Sequence, residues 1–154
     1  MVIPKFKNAA EAAAIVQSWQ DAGQEVVFTN GVFDILHVGH VRYLQASRLL
    51  GDKLIIGLNA DDSVRRLKGD SRPINNLEAR AEVLAALQCV DLITFFEEDT
   101  PLEIISLILP DILTKGGDYS IDKIVGAEIV QDQGGTVHSI DFIPGYSTTG
   151  ILNK

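Results

Sequence analysis

The sequence predicts an α/β fold, a Rossmann-like three-layer sandwich around a parallel sheet of about five strands. Three observations lead there. Short apolar runs alternate with helix-patterned segments along all 154 residues, the spacing of stacked βαβ units. The run Lys53-Leu54-Ile55-Ile56-Gly57-Leu58-Asn59 is continuously apolar at its centre, the mark of a strand covered on both faces. The polar and glycine-bearing stretches that suit a ligand all follow strands, which puts them at one edge of the sheet.

Each element has a local reason. Asn8 caps a helix through Ala9–Gln20, whose Ala12, Ile15, Val16 and Trp19 form an apolar stripe, and Gly23 stops it. Trp19 reads as packing. Glu25–Thr29 is the first strand, and a second helix starts near His40 and stops at Gly51. The second strand, Lys53–Asn59, leads into a short helix or turn over Asp61–Leu67 and a polar loop, Lys68–Pro73. Asn75 or Asn76 caps the next helix, and Asp91–Phe96 is the third strand. Cys89 reads as a small core residue of the helical stretch between them.

Thr100-Pro101-Leu102-Glu103 combines an N-cap, a first-turn proline and the glutamate of a capping box. That helix ends at Pro110. Asp111–Lys115 is the fourth strand, a helix follows over Lys123–Gln133, and Thr136–Asp141 is the fifth strand, with His138 structural. Ser147-Thr148-Thr149 opens a last helix. The expected organisation is one domain over 1–154, with an N-terminal helix in 1–24 and a catalytic core in 25–152.

Composition narrows the function. The net charge of −8 argues against a general nucleic-acid binder, which would present a basic face. No apolar run approaches the roughly 18 to 20 residues of a membrane helix, and no secretory signal opens the chain. With one cysteine, this points to a cytoplasmic protein without membrane insertion. The basic residues are uneven: Arg65, Arg66, Lys68, Arg72 and Arg80 fall within one short span of an acidic chain. Arg66 and Arg72 read as solvated surface charges.

The chain is organised around Thr29-Asn30-Gly31-Val32-Phe33-Asp34-Ile35-Leu36-His37-Val38-Gly39-His40, where a strand turns into a helix. A helix N-terminus carries free N–H groups and partial positive charge. Gly39 lets the backbone approach a ligand between two imidazoles. The pair suits a phosphate site in which His37 and His40 donate hydrogen bonds as charge builds on phosphate oxygens. No P-loop or G-x-G-x-x-G is present, and no metal-ligand spacing completes the two histidines.

This stretch, with its H-x-G-H element, resembles the signature of the cytidylyltransferase-like nucleotidyltransferases. Lys115-Gly116-Gly117-Asp118-Tyr119, Gly145-Tyr146-Ser147-Thr148-Thr149 and Arg65-Arg66-Leu67-Lys68-Gly69 with Arg72-Pro73 extend the match. The likeness covers roughly residues 25 to 152 and is greatest to the heptose 1-phosphate adenylyltransferases. Family members often carry cysteine where Val32 stands.

The resemblance implies the H-x-G-H nucleotidyltransferase fold and a reaction. AMP passes from ATP to D-glycero-β-D-manno-heptose 1-phosphate, giving ADP-heptose and pyrophosphate for lipopolysaccharide core precursors. It assigns His37, His40, Lys68 and Arg65 to the reacting phosphates. It places Thr29, Asn30, Gly31, Phe33, Gly39, Lys115, Gly116, Asp118, Tyr146, Ser147, Thr148 and Thr149 around the nucleotide. Asp34, Asp61 and Arg80 fall to the sugar phosphate. Mg²⁺ is expected on ATP, with no protein-held metal. The implied partners are ATP, a sugar 1-phosphate, a second copy of the chain in a homodimer or larger homo-oligomer, and a separate upstream sugar kinase. The alternatives are a cytidylyltransferase acting on glycerol 3-phosphate or a similar phosphorylated alcohol, and a nucleotide-binding sensor without turnover.

Overall fold

The computed structural model describes residues 3–141. Tyr146, Ser147, Thr148, Thr149 and the last helix expected there lie outside the described residues. In chain order the elements are α1 (Ala9–Asp21), β1 (Val26–Gly31), α2 (Val38–Arg48), β2 (Lys53–Asn59), α3 (Asp61–Lys68) and α4 (Leu77–Ala85). Then come β3 (Leu92–Phe96), α5 (Leu102–Ile108), β4 (Ile112–Gly116), a 3₁₀ turn (Ile121–Lys123), α6 (Ala127–Asp132) and β5 (Thr136–Ile140). The five strands are all parallel in the order β3-β2-β1-β4-β5.

Both faces of the sheet are covered, as the apolar centre of β2 requires. Ile55 joins Ala12, Val16, Phe28, Ile105, Leu113 and Val130 in the core under α1, α5 and α6. Its neighbours Leu54 and Ile56 turn to the opposite core with Val27, Tyr43, Leu44, Ala81 and Leu84, under α2 and α4. Gly57 sits in β2 because a Cβ there would stand 2.7 Å from the Phe28 ring. The segment before α1 lies along the outer edge of β3, with Lys7 N–H donating to the Ile93 carbonyl at 2.9 Å. That covers an edge otherwise open to pairing. Among the described residues no helix is long and apolar enough to cross a membrane.

Several local expectations shift. The second helix starts at Val38, because His37 itself is the cap, and it ends at Arg48 rather than Gly51. Asn76, not Asn75, caps α4. The capping box at α5 does not form: Pro101 takes the N-cap position with ψ near 12°, so Thr100 stands one residue too early. Glu103 turns instead to Glu98, and a hydrogen bond with that carboxylate, then its charge, raises the Glu103 pKa. The helix expected over Lys123–Gln133 is interrupted: the 3₁₀ segment stops at Lys123, with Ile124 in extended backbone, and Gly126, at φ +89°, caps the start of α6. Cys89 lies half-buried in the turn after α4, and burial raises its thiol pKa.

The topology fixes where a ligand goes. From β1 the chain crosses outward to β2 and β3; from β4 it crosses the other way to β5. The sheet's switch point is therefore the pair β1/β4. β1 keeps register with β2 over six residues, from Val26 to Gly31, but with β4 only at Val27–Ile112 and Phe28–Leu113. Beyond that the two strands part, and a cleft opens between their C-terminal ends.

Candidate active site

The parted strands carry Asn30 and Gly31 on one side and Lys115 and Gly116 on the other. A compartment of about 210 Å³ lies on the α2 face, lined by those four residues with Phe33, His40, Tyr43 and Tyr119. A second, of about 240 Å³, lies toward α5 and α6 and shares Asn30, Lys115 and Tyr119 with the first.

The histidines are held by the helix they begin. His37 is the N-cap of α2 in extended backbone, and its Nδ1 accepts from Gly39 N–H at 3.1 Å. His40 reaches back, its Nδ1 accepting from His37 N–H at 3.3 Å. This is a capping box in which imidazoles replace the usual hydroxyl and carboxylate. An Nδ1 that accepts a hydrogen bond carries no proton, so each neutral ring bears its proton on Nε2. The rings stack with centroids 3.8 Å apart. Burial lowers both pKa values; for His40 burial first, then the neighbouring His37, bring it to about 4. At neutral pH the pair is uncharged, and His40 presents an N–H donor to the α2-side compartment.

The surroundings fix that geometry. Phe33 meets the His40 ring edge-on with centroids 5.2 Å apart and has φ +50°, a conformation a bulky side chain holds only under constraint. A Cβ on Gly31 would lie 2.8 Å from the Phe33 ring, so glycine is needed there. One turn after His40, the Tyr43 hydroxyl bonds Thr29 and, at 3.2 Å, Thr114; Ser47 joins at 3.0 Å from Thr114. This buried hydroxyl cluster ties α2 to β1 and β4 at the switch point. Burial raises the Tyr43 pKa, so the phenol stays protonated.

The expected site residues separate into those on the cleft and those behind it. Asn30, Gly31, Phe33, His40, Lys115 and Gly116 line the α2-side compartment, with His37 stacked on His40. Lys115 is half-buried with its Nζ 5.7 Å from the Tyr119 ring centre, and burial lowers its pKa. Thr29 is corrected: it is fully buried and bonds Tyr43 and the Thr114 carbonyl rather than facing a nucleotide. The Gly39 N–H is occupied by His37. Asp118 is exposed and lines neither compartment.

The three residues expected at the sugar phosphate form a brace. The Asp34 side chain is fully buried and accepts from Arg72 Nε and from the Ile74 and Asn75 N–H groups, all at 2.8 Å. Burial alone would raise its pKa; the two N–H groups and the guanidinium outweigh that and hold it below the ordinary value. Arg72 is thus no surface charge, being 15% exposed. Arg80 is buried among the carbonyls of Val32, Asn59 and Asn75, and its Nη2 donates to Asp61 at 2.7 Å. Asp34 and Arg80 therefore join the loop after β1 to the 72–76 segment and the end of β2, with no face turned to a substrate. Asp61 remains about one-third exposed beside Arg80.

The basic cluster is dispersed. Arg65 pairs with Asp62, and Arg66 pairs with Asp99 at 2.9 Å. Lys68 ends α3, exposed, before Gly69. Neither Arg65 nor Lys68 lines either compartment. Reading by residue type missed Tyr43, Ser47 and Thr114, which are ordinary helix and strand residues in sequence. The hydroxyl spacing of Tyr43 and Ser47, one turn apart on α2, was the available signal.

A parallel sheet with its ligand cleft at the switch point and an H-x-G-H capping box over it defines a nucleotidyltransferase-type Rossmann-like protein. A family model described as Cytidylyltransferase-like matches residues 28–151, and the chain belongs to that family. It is 57% identical over 145 residues to "Bifunctional protein HldE" of Rhodopseudomonas palustris strain HaA2, covering 94% of this chain and 30% of that protein. The same-named protein of Pelobacter propionicus is 51% identical over 150 residues, covering 97% of this chain and 31% of that protein. The chain thus spans about a third of these relatives' length. Among solved structures, the lipopolysaccharide core biosynthesis protein from Thermoplasma volcanium GSS1 aligns with TM-score 0.62 and 33% identity, over 79% of this chain and 98% of that one. A pantoate-beta-alanine ligase from Francisella tularensis, at TM-score 0.60 and 14% identity over 88% of this chain and 66% of that one, shares the fold.

Two outcomes follow from the brace and the histidine cap. Asp34→Ala leaves Arg72 and two N–H groups without their acceptor, and should cost about 3–5 kcal/mol in urea unfolding near neutral pH. A loss under about 1 kcal/mol, the range of an exposed pair, contradicts the brace. Acid should act earlier than carboxylates alone would allow. Because His40 titrates near 4 when folded and 6.5 in its ordinary state, the unfolded chain binds the extra proton between those values. Stability should be level above pH 6.5 and fall from there toward pH 4. Asp34 adds its own loss below the ordinary carboxylate value of 3.8. Urea midpoints that do not fall between pH 6.5 and 4 contradict a neutral buried His40.

Proposed function

We propose that the chain is an adenylyltransferase that transfers AMP from MgATP to D-glycero-β-D-manno-heptose 1-phosphate, giving ADP-heptose and pyrophosphate. The observation that carries the reading is the stacked His37–His40 pair, neutral and protonated on Nε2, at the N-terminus of α2 above the switch point. Family membership, the identity with the HldE proteins and the likeness to a lipopolysaccharide core biosynthesis protein support it.

The chemistry matches what these residues supply. An oxygen of the acceptor's phosphate attacks the α-phosphorus of ATP, and a new P–O bond forms. The bond from that phosphorus to the α,β-bridging oxygen breaks, and pyrophosphate leaves with the electron pair. The acceptor phosphate is already ionised, so no base has to remove a proton. What the protein adds is alignment and compensation for charge growing on the phosphate oxygens. Neutral Nε2–H donors do this without repelling Lys115 or the magnesium that ATP carries. Lys68 joins from the end of α3, and Ser147, Thr148 and Thr149 add hydroxyl and N–H donors to the phosphates. Mg²⁺ enters as part of the nucleotide. The phosphorylated acceptor comes from a sugar kinase upstream.

Pyrophosphate release with MgATP and heptose 1-phosphate is the direct assay. His40→Ala should lower kcat by about 10²–10³, the scale of one lost donor to a developing oxyanion. Turnover with CTP and none with ATP would overturn the adenylyl assignment. An unchanged rate in His40→Ala would remove the histidines from the mechanism.

A further inference from the structure

Beyond Phe28–Leu113 no ladder pair joins β1 to β4, yet the next two residues, Thr29 and Thr114, are joined all the same. The Thr29 hydroxyl donates to the Thr114 carbonyl at 3.2 Å. Tyr43 and Ser47 of α2 close around this bond, and all four side chains are buried. Counting protons gives the cluster a direction. Each hydroxyl has one proton to donate and a carbonyl has none. Thr29 spends its proton on the carbonyl, so Tyr43 is the donor in the Tyr43–Thr29 bond. With its own proton spent there, Tyr43 accepts from Thr114 Oγ1 at 3.2 Å. Thr114 in turn accepts from Ser47 Oγ at 3.0 Å. The protons run one way, from Ser47 through Thr114 and Tyr43 to Thr29, and the chain ends on the backbone of β4.

That chain lies where the width of the site is set. The residues that follow it, Asn30 and Gly31 on β1 and Lys115 and Gly116 on β4, line the α2-side compartment together with His40 and Tyr43 itself. His40 stands on α2 one turn before Tyr43. A side-chain link in place of a ladder pair fixes both the gap between the strands and the seat of α2 over it. We propose that Tyr43 is a positioning residue: through the directed hydroxyl chain it holds His40 and Lys115 at the spacing that the transferred phosphate requires. It acts through those two groups rather than on the phosphates. The role goes beyond the adenylyl-transfer reading and rests on it.

Tyr43→Phe removes the proton passed to Thr29 and keeps the ring. Thr29→Val breaks the link to the Thr114 carbonyl, and Thr29→Ser keeps it. Val16→Ala, buried in the core on the other face of the sheet, measures the effect of lost stability alone. The test follows pyrophosphate release while heptose 1-phosphate and MgATP are varied in turn, with the ring-nitrogen NMR signals of His40 alongside. Tyr43→Phe and Thr29→Val should each lower kcat by about tenfold to a hundredfold, the scale of a reacting group displaced by up to about 1 Å, with both KM values within about threefold of wild type. The His40 signals should shift in both variants. Thr29→Ser should keep kcat and those signals near wild type, as should Val16→Ala. If Tyr43→Phe does not fold, Thr29→Val against Thr29→Ser decides the matter. Unchanged kcat in Tyr43→Phe and Thr29→Val, with an active wild type, overturns the positioning role and leaves the adenylyl-transfer reading standing. A loss that Val16→Ala reproduces, or one that falls on KM alone, overturns it likewise. A wild type that turns over no phosphosugar with ATP overturns the reading, and the positioning role with it.

Discussion

Two backbone N–H groups donating to two imidazoles set the chemistry of this site. Gly39 N–H on His37 Nδ1 and His37 N–H on His40 Nδ1 satisfy donors that every helix start leaves open. Most helices meet that need with a hydroxyl or carboxylate oxygen. Here it is met by the two side chains proposed to act on the phosphates, so one hydrogen-bond set would serve folding and function. The same bonds choose the tautomer, place the proton on Nε2 and stack the rings. Burial then keeps the rings neutral, which makes them donors of fixed direction rather than bases of variable charge.

The rest of the molecule serves that placement. Parallel strands bring the ends of β1 and β4 together and then let them part. The Thr29–Tyr43–Thr114–Ser47 hydroxyls pin α2 across the gap. Phe33 props His40 from the side, at a strained φ that Asp34, anchored to Arg72 and the 74–75 amides, holds in place from the next position. Arg80 closes the same region from below through three carbonyls. A buried guanidinium and a buried carboxylate so fully bonded act as framework; freed of either partner, the other is left costly and unpaired.

Sequence alone carried the architecture because its signals are local. The apolar centre of β2 announces a doubly covered strand, and Asn8 caps α1 as its residue type predicts. The H-x-G-H turn is legible for the same reason. Arg72 on Asp34 and Arg80 on Val32 join residues 38 and 48 positions apart, and nothing in either segment announces the pairing. Residue type marks Asp34, Arg80 and Thr29 as polar near the site, yet cannot say whether protein or ligand takes their hydrogen bonds. The α5 start failed on a finer point: Pro101 displaced the cap by one residue, and Glu103 met Glu98 instead.

The central claim is that His37 and His40 are neutral Nε2–H imidazoles held by the backbone at the start of α2. Long-range proton–nitrogen correlation NMR on nitrogen-labelled protein reads the state of each ring nitrogen directly. At neutral pH both rings should show an unprotonated, hydrogen-bonded Nδ1 and a protonated Nε2, and His40 should keep that pattern down to about pH 4. A proton on Nδ1 of either ring, or an imidazolium at His40 at neutral pH, would contradict the account.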